Sequence, residues 1–509
     1  MTRVITAAEL RQQVLRMTKA GWQRLSTQDT SFLHFEQRAT PMHVAAVALF
    51  EAGPLRTTDG GIDAARLAKH VEGRLQELPR YRQRLVSHPL TGELLWVDDA
   101  RFDLSYHLRH VALPRPGSRA ALQELTGRLL AQPLDRSRPL WEMWIVEWVE
   151  GDRFALVSKV HHCMVDGVAG SSLLTLLFST RPDEGIRPAP EWHPRAAPGG
   201  LELLADELAH RAQGGAGWLR WLGSVAAHPG PALAGVLRTG TAVAQALDAA
   251  LRLPDPTSLN RPIGPHRRVE WCSLELDAVK KVKNALGGTV NDVVLAIVAG
   301  ALHRFLGGRT AWPVRLDHRV VIPVNMRPPG DPAPVANHVS ALFLSLPVAE
   351  PDARRRYERI RRETERLKAS RAAEGIDALA RLADGLATPW VTRLGVRLVA
   401  RLRPYNLIVT NVPGPPMPLY VLGARLLELY PHLPLFEHQG LGVAVLSYDG
   451  RLGFGLIADR EVVPDLAKLA RAIPAAFREL AELAAAAADA PGAPRPAARR
   501  PQGRARRAP

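Results

Sequence analysis

Apolar and polar positions fall into blocks along the chain, and the character of the blocks changes twice. From about residue 25 to 178, apolar strand-like runs alternate with helical stretches, the pattern of an α/β layer arrangement. The runs at 144–149 and 154–160 flank the polar turn Glu150-Gly-Asp-Arg153 and predict a hairpin. Residues 181–200 are rich in Pro and Gly and predict a linker. Residues 201–253 carry helical apolar spacing broken at Gly214-Gly215 and at Pro229-Gly-Pro231, which predicts helices crossing between domains. A second α/β region begins near Ser258, with strands predicted over 269–276, 320–324, 339–347, 407–410, 442–448 and 452–457. Helices are predicted over 277–286, from Asn291 onward with Thr289 as cap, over 351–371 and within 459–488. The 351–371 helix mixes Arg with Glu and reads as a solvated face. The predicted organisation is an N-terminal domain over 1–180, a Pro/Gly-rich and helical crossover linker over 181–257, a C-terminal domain over 258–488 and a disordered basic tail over 489–509.

A length of 509 residues supports two or three domains with real cores. The two cysteines, Cys163 and Cys272, exclude a disulfide scaffold and point to a reducing compartment. The longest apolar run, 293–302, is shorter than the roughly 18–20 residues that span a bilayer and reads as a buried helix. No secretory signal is visible at the start, so a soluble or peripheral intracellular protein is expected. Lys and Arg number 66 against 50 Asp and Glu, a net charge of +16, with Arg495, Arg499, Arg500, Arg504, Arg506 and Arg507 in the tail. With aromatics at 6% and no recognisable module, nucleic acid is not an expected partner. Anionic lipid, or a phosphate-rich ligand such as coenzyme A, fits the same charge. The stretch Trp218-Leu-Arg-Trp-Leu222 reads either as a lipid contact or as packing of the crossover helices.

The densest chemistry is His161-His-Cys-Met-Val-Asp-Gly167, directly after an apolar strand. Successive side chains of a strand point to opposite faces, so only one of the two histidines can face a cleft. A histidine there suits a general base for a hydroxyl nucleophile, and a structural pair is the alternative. Metal ligation lacks both the HExxH spacing and a Cys/His cluster. A nucleophilic Cys163 activated by His162 is disfavoured because adjacent side chains rarely meet in hydrogen-bond geometry, so a buried apolar Cys is expected. No G-x-S-x-G elbow is present. The run Gly453-Phe-Gly-Leu-Ile-Ala458 formally matches GxGxxA, but it lies within a strand after the Asp449-Gly450 turn, and no helix opens on it.

HHCMVDG matches the HHxxxDG motif of the coenzyme A-dependent acyltransferase superfamily, which also includes condensation domains of peptide synthetases. Leu25-Ser-Thr-Gln-Asp-Thr-Ser-Phe-Leu-His-Phe-Glu36 with Pro41-Met-His-Val44, then Pro139-Leu-Trp141, Thr289-Val-Asn-Asp-Val-Val-Leu-Ala296 and Asn411-Val-Pro-Gly-Pro415 follow in order. Over about residues 20–485 the chain resembles the bacterial wax ester synthase/diacylglycerol acyltransferases. The resemblance implies two chloramphenicol-acetyltransferase-like α/β domains joined by the helical crossover, with an active-site channel at their interface. It implies transfer of a long-chain acyl group from acyl-CoA to diacylglycerol or a long-chain alcohol by direct attack. His162 would be the general base, His161 its supporting partner, and Asp166 and Gly167 would shape the loop behind them. Asn291 would polarise the carbonyl or fix the acceptor, while Asn291 and Asp292 also suit a helix cap. Pro139, Leu140, Trp141 and Asp292 are the candidate substrate-binding positions, with a part in the fold as the alternative for the first three. Asn411 to Pro415 reads as a rigid turn near the domain interface. No metal or other cofactor is expected, acyl-CoA being a substrate. The expected setting is cytoplasmic, peripheral to the inner membrane face or to lipid droplets. A condensation-type enzyme using a carrier-protein thioester and a catalytically silent lipid-binding protein are the competing functions.

Overall fold

The computed structural model describes residues 22–89, 91–164, 177–209, 254–255, 257–307, 318–325, 339–369 and 405–489. The first half contains β1 (Trp22–Arg24), α1 (Thr27–Phe35), β2 (His43–Glu51), α2 (Ala64–Leu75), β3 (Gln83–Ser87) and β4 (Leu94–Asp98). It continues with α3 (Leu104–His107), β5 (Leu108–Ala112), α4 (Arg119–Ala131), β6 (Trp141–Val149) and β7 (Arg153–His161). The second half holds β8 (Arg267–Glu275), α5 (Leu276–Leu286), α6 (Val290–Gly307), β9 (His318–Asn325), β10 (Val339–Leu346) and α7 (Ala353–Ala369). After these come β11 (Leu407–Val412), β12 (Tyr420–Val421), β13 (Ala424–His432), β14 (Leu441–Tyr448), β15 (Arg451–Asp459) and α8 (Leu466–Ala488).

The predicted hairpin is β6–β7, and Gly151 and Asp152 take the left-handed conformations its tight connection demands. Helix α6 buries the apolar run expected at 293–302. Its hydropathy of 1.4 over 18 residues would suit a membrane span, but 72% of that window is inside the protein. Here it is the core helix of the second half, packed on α7 and α8. Helix α7 is less solvated than its charge predicts. Tyr357 and Ile360 are buried, and the buried Arg356 guanidinium meets Glu479 at 3.0 Å. The segment after residue 180 also does more than link. Arg195 holds the Asp98 carboxylate with Nε at 2.9 Å and Nη2 at 3.0 Å, strapping the chain along the first half. The breaks at Gly214 and Pro229, the Trp218–Leu222 stretch and the tail from residue 490 lie outside the described residues.

Two six-stranded sheets carry the architecture, beside a small β1–β4–β3 sheet. The second-half sheet runs β10–β9–β11–β14–β15–β8. The first-half sheet runs β12–β13–β2–β7–β6–β5, so two of its strands come from the far end of the chain. This corrects the expected division: residues 258–488 are not self-contained, because 420–432 return to complete the N-terminal sheet. β13 then lies between β2, its ladder partner, and β15, which packs on it. That packing explains the GxGxxA run. A Cβ on Gly453 would overlap the Leu429 carbonyl oxygen, and one on Gly455 the Pro431 carbonyl oxygen. Those glycines let two backbones touch. A shared apolar cluster, including Val47, Val157, Val269, Trp271, Tyr430 and Ile457, seals the halves together.

Three of the buried histidines, His43, His318 and His432, lie with ring nitrogens unpaired among the described residues. His318 and His432 have no hydrogen-bond partner on either ring nitrogen among the described residues, and His43 bonds only the Leu130 carbonyl, at 2.9 Å. Burial lowers His43 and His432 to about 3 and His318 to about 4, against an ordinary 6.5. Because the folded values lie below the unfolded ones, their stability is complete above pH 6.5 and is lost as pH falls towards 3–4. Each pH step below 6.5 removes roughly 1.4 kcal/mol per ring, so about 2 kcal/mol each at pH 5. Calorimetry is expected to show Tm falling by roughly 6 °C between pH 7.5 and 5. An unchanged Tm would mean that the rings find partners or open to water.

Candidate active site

β7 ends by delivering the two histidines, and the strand alternation separates them. His161 points with its ladder partner His43 to the face under α4 and is fully buried. His162 leaves the strand into a single 3₁₀ turn, His162–Met164. Its amide donates to the Met42 carbonyl at 2.8 Å. Its half-buried ring lies flat on Phe32 of α1, with centroids 3.8 Å apart and planes 18° from parallel. Nδ1 has no hydrogen-bond partner among the described residues. Burial, and after it the neighbouring His161, lowers the His162 imidazole to about 4. At neutral pH the ring is therefore unprotonated, the state a general base needs.

Helix α1 is the support for both rings. Ser26 caps it, accepting from the Asp29 amide at 3.0 Å, and Glu36 closes it. Phe32 and Glu36 stand four residues apart, so one face of this turn meets both histidines. Glu36 Oε1 lies 3.4 Å from His161 Nε2, too poorly aligned for a full hydrogen bond. Burial alone would raise the Glu36 carboxyl, but His161, Arg136 and the Met42 amide outweigh it and hold it at about 2. Phe35, on the same helix, packs edge-on against Phe436 at 5.4 Å, which places α1 at the seam between the halves.

His161 was expected among the catalytic residues. Sealed from solvent, it supports the turn instead: its Nδ1 accepts the Cys163 amide at 3.2 Å and lies 2.9 Å from Cys163 Sγ. Burial pushes the Cys163 thiol well above its ordinary value, so it is no nucleophile. Asp166 and Gly167 lie outside the described residues.

The substrate-binding part expected for Pro139, Leu140 and Trp141 is replaced by a structural one. Leu140 is buried, and its carbonyl accepts the His161 amide at 2.9 Å. The buried Trp141 indole donates to the Tyr81 carbonyl at 2.8 Å and stacks on His107. Pro139 stands just before, its carbonyl accepting the Trp141 amide. Together they anchor the start of β6 beside the end of β7. Asp292 is also structural. One carboxylate oxygen accepts the Thr289 amide and hydroxyl, each at 2.7 Å, and the other accepts the Thr364 hydroxyl at 2.7 Å. This capping box starts α6 where Thr289 predicts it. Asn291 is half-buried at the same helix start, and its Oδ1 accepts from Asn411 Nδ2 at 3.4 Å. That bond engages the Asn291 oxygen, and the amide NH₂ is its donor group. Beyond Asn411, Gly414 donates to Ser447 Oγ at 3.1 Å, fixing the expected rigid turn.

Sequence reasoning did not single out Phe32 or Glu36, although both lie in the motif from Leu25 to Glu36. Their four-residue spacing on one short capped helix was the available signal.

The site thus centres on a neutral histidine of the HHxxxDG motif at the end of a central strand. Residues 25–294 match the wax ester synthase/diacylglycerol acyltransferase catalytic domain, and residues 335–481 match the C-terminal domain of the same family. The chain belongs to the wax ester synthase/diacylglycerol acyltransferase family. It is 34% identical over 490 residues, 91% of each chain, to a Mycobacterium tuberculosis protein named as a diacylglycerol O-acyltransferase. A Mycobacterium bovis relative of the same description is 33% identical, covering 90% of this chain and 95% of its own. The wax ester synthase/diacylglycerol acyltransferase of Marinobacter aquaeolei superposes with a TM-score of 0.65 at 27% identity, over 91% of this chain and all of that one. The first condensation domain of the calcium-dependent antibiotic synthetase shares the fold, with a TM-score of 0.55 at 18% identity over 92% and 97% of the two chains.

Proposed function

We infer that the protein is an acyl-CoA-dependent O-acyltransferase that moves a long-chain acyl group to diacylglycerol, a long-chain alcohol, or both. The observation that carries the mechanism is the neutral His162 ring held flat on Phe32. The acceptor hydroxyl gives its proton to His162 as its oxygen attacks the thioester carbonyl. The tetrahedral intermediate then collapses, the carbon–sulfur bond breaks, and the imidazolium returns the proton to the departing thiolate. The product is an ester and free coenzyme A. A thiolate leaves readily, so no acyl-enzyme is required, in keeping with the inert Cys163. The NH₂ donor of Asn291 suits a developing oxyanion or the acceptor.

This chemistry calls for no resident metal or cofactor. Diacylglycerol and long-chain alcohols reside in lipid, whereas the coenzyme A moiety is water-soluble, so we place the enzyme in the cytoplasm, peripheral to the inner membrane face or to lipid droplets. The net charge of +16 favours anionic headgroups there. Purified protein given palmitoyl-CoA with diacylglycerol or hexadecanol is expected to release thiol and form triacylglycerol or wax ester. Turnover confined to an acyl group loaded on a carrier protein would overturn the reading in favour of a condensation-type enzyme.

A further inference from the structure

The Glu36 carboxylate reaches the backbone on both sides of His162 by two short routes. Its Oε1 accepts the Met42 amide at 3.1 Å, and the Met42 carbonyl in turn accepts the His162 amide. The same oxygen faces His161 Nε2, and His161 Nδ1 accepts the amide of Cys163. An imidazole nitrogen that accepts carries no proton, so in its neutral form the His161 ring carries its proton on Nε2, 3.4 Å from Glu36 Oε1. Both neighbours of the base thus trace to one carboxylate.

Two arginines hold that carboxylate and its loop. Arg136 donates to Glu36 Oε2 from Nε at 2.9 Å and Nη2 at 2.6 Å, and Nη2 also meets the Leu33 carbonyl at 3.0 Å. From the other half, the buried Arg267 donates to the Ala39 carbonyl, within the loop that joins Glu36 to Met42. A carboxylate only 8% exposed is expensive to keep ionised unless every oxygen is matched, and here both are.

We propose that Glu36 is the positioning residue of the catalytic base: it selects the Nε2–H tautomer of His161 and, through His161 and Met42, fixes the turn that aims His162. Arg136 is its counter-ion, and Arg267 couples the arrangement to the second half. The assignment rests on His162 acting as base in acyl transfer. A glutamine at position 36 presents an NH₂ group as readily as an oxygen, so the tautomer preference and the hold on the turn both weaken. Glu36→Asp keeps the charge but withdraws it by one methylene.

The test measures Glu36→Gln, Glu36→Asp and His162→Ala side by side with palmitoyl-CoA and the better acceptor. It adds thermal melts and the ring ¹⁵N signals of histidine-labelled protein. In Glu36→Gln, kcat is expected to fall roughly 10–100-fold, as when a partner that orients a functional imidazole is lost. Both KM values stay close to wild type, and His161 departs from the Nε2–H pattern. Glu36→Asp is expected to fold, keep the tautomer and lose less kcat. A folded Glu36→Gln with wild-type kcat overturns the proposal, and so does a loss of kcat with the His161 signals unchanged. If Glu36→Gln fails to fold, Glu36→Asp decides: reduced kcat at unchanged KM supports the assignment, and wild-type kcat overturns it. Full turnover in His162→Ala would instead remove the base itself, a separate failure.

Discussion

His162→Ala is expected to lower kcat by roughly 10²–10⁴-fold, the contribution of a positioned general base. The KM values should move little, because the ring handles a proton rather than holding the acyl chain. The electrostatics sharpen this expectation. An ordinary histidine would be half protonated at pH 6.5, and kcat/KM would already be halved there. His162 sits at about 4, so the wild-type profile is expected to stay flat from pH 7.5 down to 5.5. The sign follows from the role: the base works only when deprotonated, and lowering its pKa extends the active range towards acid. Thiol release by the wild type across this range, and by the variant at pH 7.5, checks both parts. A profile bending near 6.5, or full turnover in the variant, would assign the base elsewhere.

Gly455→Ala is expected to be among the most damaging small substitutions in the fold. The added methyl would occupy the space of the Pro431 carbonyl oxygen. Neither backbone can yield. Gly455 is laddered to Trp271 on one side and Ala444 on the other, while Pro431 opposes Ala46 in the N-terminal sheet. Ordinary overpacking costs about 1–3 kcal/mol. Here the clash is backbone against side chain between two sheets, so a loss above that range is expected from a total of only about 5–15 kcal/mol. The measurements are soluble yield and melting temperature, with Gly185→Ala as the control, since a Cβ there meets nothing within 4 Å. Equal stability of the two variants would show that the sheets separate more easily than their contact suggests.

Much of the framework is legible because its signals are local. The 141–161 hairpin announces itself by two apolar runs around Gly151, and α6 by its apolar run behind Thr289. The histidine pair is legible for the same reason, as a compact motif after a strand. β13 is not, because its pattern, Ala-Arg-Leu-Leu-Glu-Leu-Tyr-Pro-His, is irregular and its partner β2 lies near the opposite end of the chain. The glycines of β15 look like a cofactor loop until that partner is known. Trp141 reads from its motif as either a binding residue or part of the fold, and its indole donates inside the core to the Tyr81 carbonyl. Glu36 and Phe32 acquire their meaning only when α1 folds over the end of β7, which no local pattern encodes.

The strand exchange also sets a schedule for synthesis. A ribosome releases the catalytic motif when barely a third of the protein exists, yet the flank of β2 stays bare until the segment ending at His432 has emerged. For most of translation the nascent first half presents an open, apolar sheet margin of the kind that recruits other chains. Aggregation is therefore most to be expected during that interval, before the last strand arrives.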